Sequence, residues 1–155
     1  MVRLSNLADY AVVVMCQMAL TDDARPSAAS VAAATNVPLP TVAKLLGTLS
    51  RAGLLQSYRG IGGGFALARP AGEISVAEIV EAVDGPIALT HCTDPAPGQC
   101  AREGICSIKP HWQIINRTIR DALSTVSLAD LVQGTVSLPA LEAAEPPAAP
   151  NQLRR

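Results

Sequence analysis

The chain has 155 residues, nearly half of them apolar but only 3% aromatic, and a formal net charge of −1. That is enough for one domain with an aliphatic, alanine-rich core, and no apolar run approaches the roughly 20 residues that span a bilayer. No basic stretch leads into a cleavable apolar segment near the N-terminus, so the four cysteines point to reduced thiols in a cytoplasm rather than to a disulfide framework.

Leu4 to Leu20 reads as a helix, with Leu7, Ala11, Val14 and Met18 at helical spacing and Val12, Val13 and Met15 making it apolar on most sides. Such a helix is expected to be covered by neighbours on several faces, with Cys16 as a small buried hydrophobe. Asp9 is the one charge between Arg3 and Asp22, and in the first turns it suits the helix dipole. After a turn at Thr21–Pro26, Ser27 caps a short helix through Thr35, which Asn36 ends in a left-handed conformation. Pro40 fits the first position of a third helix, with Val42, Leu45, Leu46 and Leu49 inward and Gly53 as its stop.

Two short helices joined by a tight turn make a helix-turn-helix. Thr41, Lys44, Gly47, Thr48 and Arg51 then face a major groove or its phosphates. A strand at Leu54–Tyr58, a turn Arg59-Gly60-Ile61-Gly62-Gly63-Gly64 and a returning strand Phe65–Ala68 follow directly, as the wing of a winged helix. The glycine-rich turn lacks GxxxxGK[ST] and runs into a strand, which excludes a phosphate loop. Arg59, with Gly60 and Gly62, is the wing-tip candidate for DNA, arginine being drawn to a minor groove.

Charge distribution supports a DNA partner although net charge does not. Between Ala24 and Gly72 stand Arg25, Lys44, Arg51, Arg59 and Arg69 with no acid among them, the footprint of a nucleic-acid-binding module. Ser75-Val-Ala-Glu78 is a capping box, opening a helix with Val76, Ile79, Val80 and Val83 inward. Pro110 introduces a long helix from His111 to about Val126, striped by Trp112, Ile115, Ile119, Leu123 and Val126. This stripe calls for a cover, and a second copy of the chain is the economical one, with the first helix as the intramolecular alternative. Ser127-Leu-Ala-Asp130 caps a last short turn, and the alanine- and proline-rich tail from Pro139 reads as disordered. The expected organisation is therefore a winged-helix domain over 1–85, a cysteine loop over 86–110, a dimerisation helix over 111–132 and a tail over 133–155. Its fold class is mainly α with a small β-hairpin.

The loop holds Cys92, Cys100 and Cys106 at C-x7-C-x5-C, in a stretch broken by Pro95, Pro97, Gly98 and Gly104. Structural zinc sites favour closer C-x2-4-C pairs, whereas iron–sulphur clusters accept thiolates at more varied spacings. From spacing alone an iron–sulphur cluster, a zinc site, a redox disulfide and bystander thiols all stay open. No nucleophile–base pair or carboxylate dyad suggests an enzyme. A small electron carrier would have no use for a recognition helix.

The opening VRLSNLADYAV, the wing RGIGGGFALARP, the following ISVAEIVEAVDGP and the three-cysteine loop resemble the IscR-type winged-helix iron–sulphur regulators over about residues 2 to 130, most closely the subgroup governing the SUF pathway of cluster assembly. The resemblance implies a homodimeric transcription factor, usually a repressor, with a 2Fe–2S or 4Fe–4S cluster on Cys92, Cys100 and Cys106. Three features depart from the family pattern. The first cysteine gap exceeds the usual C-x5-C. Pro40-Thr41 stands where relatives more often have serine and an aromatic, so operator preference does not carry over. Lys109 occupies the place of a histidine ligand, with His111 nearby but shifted. His91 adjoins Cys92 too closely to reach an opposite iron easily. Asp9 is then the expected fourth ligand: a carboxylate buried in an apolar helix would be costly unless ligated, and in some members an acid at this place ligates from the partner subunit.

Overall fold

Ser5 opens the first element of the computed structural model, which describes residues 3–93 and 105–136. Its hydroxyl accepts from the Ala8 amide at 3.0 Å, so α1 runs Asn6–Leu20, beginning later than the expected Leu4. The face it buries carries Ala8, Ala11, Val14, Met15 and Met18. Tyr10 and Val13 are exposed and mark one open strip, but the rest of α1 is covered by several other elements, as its apolar composition led one to expect.

Helix α2, Ala28–Thr35, begins at Ser27, whose hydroxyl accepts from the Ser30 amide, and ends at Asn36 with φ 56°. Helix α3, Leu39–Arg51, follows. Pro40 falls on its second position rather than its first, because Leu39 is already helical. The predicted stripe Val42, Leu45, Leu46 and Leu49 is fully buried, and each such side chain contributes about 1.5–3 kcal/mol of transfer free energy. Strands β1, Leu55–Tyr58, and β2, Gly64–Leu67, pair antiparallel with Leu55 opposite Leu67 and Tyr58 opposite Gly64. The hairpin is held near its turn: the Phe65 amide donates to the Pro26 carbonyl at 3.1 Å. A Cβ at Gly64 would overlap the Arg25 carbonyl oxygen, so only glycine permits that approach.

A 3-10 turn at Ala71–Glu73 leads to α4, Val76–Asp84, started by the predicted Ser75–Glu78 capping box with both reciprocal hydrogen bonds present. Helix α5 runs Lys109–Thr125 and α6 runs Leu128–Gln133. The segment 111–132 is thus two helices, broken where Val126 turns extended and Ser127 caps α6. The Val76 amide donates to the Val126 carbonyl at 2.9 Å and the Leu128 amide to the Ile74 carbonyl at 2.8 Å. This places Leu128, fully buried, in the core with Met15, Leu46, Ile74 and Ile79. The winged-helix core therefore draws on residues well beyond 85. A second cluster of Ala8, Val76, Val80 and Val126, flanked by Ile87, Leu123 and Leu131, sits beneath the base of α5. Among the described residues no helix is long and apolar enough to cross a membrane.

Candidate functional site

Helix α3 and the wing present the expected DNA-facing side chains. Lys44 and Arg51 are exposed, Thr41 and Thr48 half-buried, because they occupy the face opposite the buried Val42–Leu49 stripe. Arg51 Nη2 donates to Thr48 Oγ1 at 3.0 Å, which lays the guanidinium along the helix. Arg59 is exposed at the end of β1. Gly60 and Gly62 have φ of 87° and 77° with open space around them, so they shape the turn and lift Ile61, fully exposed, to its tip. Sequence reading passed over Ile61, although an aliphatic residue between two turn glycines was a visible signal.

The acid-free cationic segment divides once folded. Arg69 Nη2 pairs with Glu78 Oε1 at 2.8 Å and its Nη1 donates to the Glu73 backbone carbonyl, so one acid past the segment, Glu78, neutralises its last cation. Among the described residues Arg25, Lys44, Arg51 and Arg59 have no ion pair. These cations without an ion pair lie on α3, at the wing and in the turn that also carries Asp22 and Asp23.

Of the three loop cysteines, Cys92 and Cys106 are free, half-buried thiols, while Cys100 lies outside the described residues, as do Pro95, Pro97, Gly98 and Gly104. Cys92 Sγ lies 3.2 Å from Thr90 Oγ1, and the Thr93 hydroxyl donates to the Thr90 carbonyl at 2.8 Å. Asn116 of α5 reaches the approach to this segment at two points. Its Nδ2 donates to the Ile87 carbonyl at 2.8 Å and its Oδ1 accepts from the Leu89 amide at 2.9 Å. Arg120, one turn further on, grips both carboxylate oxygens of Glu81 at 2.7 and 3.0 Å. At the same C-terminal end of α4, Asp84 accepts from the Ser5 hydroxyl at 2.7 Å, tying α4 to the start of α1. Sequence reading missed Asn116. Its one hint was an amide at i+4 from Trp112, beside an otherwise apolar stripe.

Asp9 requires a correction: it is exposed on the first turn of α1, so no penalty of burial has to be relieved. Within the chain its carboxylate simply favours the helix N-terminus. Cys16 is half-buried against the core, and burial pushes its thiol up, as suits a packing residue. His91 and His111 are both exposed. Among the described residues no three His, Cys, Asp or Glu side chains gather into a metal site. In chemistry the loop donors suit iron: two uncommitted thiols flank a segment that contains the third, and thiolates are the ligands iron–sulphur clusters take.

The stripe on α5 is graded. Val126 is buried, Ile119 and Leu123 half-buried, and Trp112 and Ile115 are 37% and 44% exposed, with Ile108 and Ile114 open beside them. The intramolecular cover therefore reaches only its C-terminal half.

Comparison with known proteins agrees with this arrangement. The profile of the Rrf2 family, described as an iron-dependent transcriptional regulator, matches residues 4–134. A Neisseria meningitidis protein named as an HTH-type transcriptional regulator, NMA1593, is 34% identical over 134 residues, covering 84% of this chain and 88% of its own. The HTH-type transcriptional regulator IscR of Citrobacter koseri is 31% identical over 131 residues, covering 84% and 79%. Among solved structures, CymR, the global cysteine regulator of B. subtilis, superposes with a TM-score of 0.66 at 25% identity, over 88% of this chain and all of that one.

Proposed function

This chain belongs to the Rrf2 family of DNA-binding transcriptional regulators, and on that premise we propose that it is a homodimeric repressor reporting iron–sulphur status through Cys92, Cys100 and Cys106. The observation that carries the reading is a physical link. The approach to the free thiols is fastened to α5 by Asn116, and α5 is fastened to the winged-helix domain through Arg120 and Glu81. In this reading Thr41, Lys44, Thr48 and Arg51 meet a major groove, and Arg59, Gly60 and Gly62 meet the adjoining minor groove or its phosphates. The uncovered Trp112–Ile115 half of α5 packs on a second copy, setting two recognition helices to half-sites about 34 Å apart. Asp9, exposed and reachable from outside its own chain, serves as fourth ligand to the partner's cysteines. When bound, a 2Fe–2S or 4Fe–4S cluster supplies a tie among these four groups. The chain's own residues carry the consequence: displacement of the cysteine segment pulls on Asn116, then on α5 and α4, and Ser5–Asp84 passes it to α1. The genes controlled are those of cluster assembly.

Protein purified without oxygen tests this by its visible spectrum and iron-to-sulphide ratio. Single replacement of Cys92, Cys100 or Cys106 abolishes the chromophore, whereas Cys16→Ala keeps it. Asp9→Ala retains an altered or labile chromophore and uncouples it from DNA affinity. Zinc in place of iron sinks the cluster reading and favours a second, a thiol or zinc switch. The free thiols of Cys92 and Cys106 support that second reading.

A further inference from the structure

Arg25 stands outside both the helix-turn-helix and the wing, yet the fold fixes it to the wing at two levels. Its backbone is pinned. The Arg25 amide donates to Asp23 Oδ1 at 3.0 Å, its carbonyl abuts Gly64, and the next carbonyl, Pro26, accepts from Phe65. Its side chain is pinned as well, the guanidinium carbon lying 4.0 Å above the centre of the Tyr58 ring. The ring is itself tied along the strand, the Tyr58 hydroxyl donating to Gln56 Oε1 at 2.7 Å. Arg59 follows immediately.

Stacking engages only the flat face of a guanidinium, leaving the N–H donors around its rim free. Arg25 is exposed, and neither a hydrogen bond from its guanidinium nor an ion pair occupies that rim among the described residues. Asp23, the nearest acid in sequence, already accepts from the Arg25 backbone. A planar donor fork, stacked on the residue that precedes a second unpaired arginine, matches the geometry of a phosphodiester oxygen pair. We propose that the Arg25–Tyr58 stack is a DNA-phosphate clamp at the turn end of β1, additional to α3 and the wing tip. It sets affinity and wing orientation without reading sequence. The clamp depends on DNA binding alone and stands whether or not the cysteines hold a cluster.

The test uses full-length protein and a duplex recovered by it from a random-sequence pool. Arg25→Ala is expected to weaken binding on the order of tenfold and to lower the slope of log affinity against log salt by about 0.9 for each phosphate no longer neutralised, with base preferences unchanged. Arg25→Lys keeps the slope but not the full affinity. Tyr58→Leu, which retains every charge, weakens binding because the guanidinium is no longer held. Neutralising single phosphates as methylphosphonates locates the partner: one substitution harms wild-type binding and leaves Arg25→Ala unaffected. The proposal is overturned if Arg25→Ala lowers only the melting temperature and leaves the salt slope unchanged, if no neutralised phosphate distinguishes the two proteins, or if base preference shifts.

Discussion

Helices α3 and α5 carry the same kind of apolar stripe and meet different fates. On α3, Val42, Leu45, Leu46 and Leu49 are at most 1% exposed, whereas on α5 Trp112 and Ile115 remain more than a third exposed. The attachments differ in kind too. Among the described residues the core around α3 buries no polar residue, while α5 packs through Leu123 at its C-terminal end and is otherwise tied by Asn116 and by Arg120 with Glu81. Apolar packing holds one arrangement because any shift opens a void. Hydrogen bonds at a half-exposed face can exchange for water at small net change in free energy. The pair thus separates a rigidly packed unit from a helix that is packed over only half its length and held elsewhere by exchangeable contacts.

The sharpest way to break this comparison is at its two hydrophobic surfaces. Leu128→Ala, in the core although it follows α5, is expected to lower unfolding free energy in urea by about 2–5 kcal/mol. A loss within about 0.5 kcal/mol, the range of a surface site, removes α6 from the core. Ile115→Asp on the open half of α5 keeps the fold, by circular dichroism, and converts a dimer to a monomer by sedimentation. A protein that stays dimeric ends the assignment of that face.

Asn116→Leu is of intermediate size. It keeps roughly the side-chain volume and removes the bonds to the Ile87 carbonyl and the Leu89 amide, a loss of about 0.5–1.5 kcal/mol for each. The loss should be local: hydrogen exchange at the Leu89 amide quickens while the amides of α3 stay protected. Equal acceleration in both places would show that α5 and the core open as one unit, and would erase the distinction.

The smallest effect lies within the rigid unit. Ser75→Ala removes the cap of α4 and lowers stability by about 0.5–2 kcal/mol. The same cap sets a pH dependence. The Ser75 amide first, and the Arg69 guanidinium next, hold the Glu78 carboxyl below the usual carboxylate range. A lowered folded-state value means that this stabilisation is present above the unfolded value and is lost as pH falls through the folded one. Stability of Glu78→Gln should therefore fall less steeply than wild type at acid pH, with a difference kept modest by solvent around the half-exposed pair. Parallel acid limbs would show that Glu78 carries none of the pH dependence.

Much of this was legible from the chain alone. Ser27, Asn36, Gly53, the Ser75–Glu78 box and the Ser127–Asp130 box stand where local chemistry put them, and the α3 stripe is buried as its spacing required. Caps and periodic stripes act within a turn or two of helix, so the sequence determines them before any packing occurs. The opening VRLSNLADYAV, the glycine-rich wing, the following ISVAEIVEAVDGP and the three-cysteine loop likewise resembled the family that the matched profile shows. Tertiary structure decided what depends on partners far along the chain. It exposed Asp9, sent Leu128 back into the core, and carried Asn116 to Ile87 and Leu89. It also separated two arginines that composition treats alike, pairing Arg69 with Glu78 and leaving Arg25 unpaired above Tyr58. A residue's charge or apolarity is written in its own side chain, but whether that property is buried, neutralised or left facing outward is set by which distant elements pack against it.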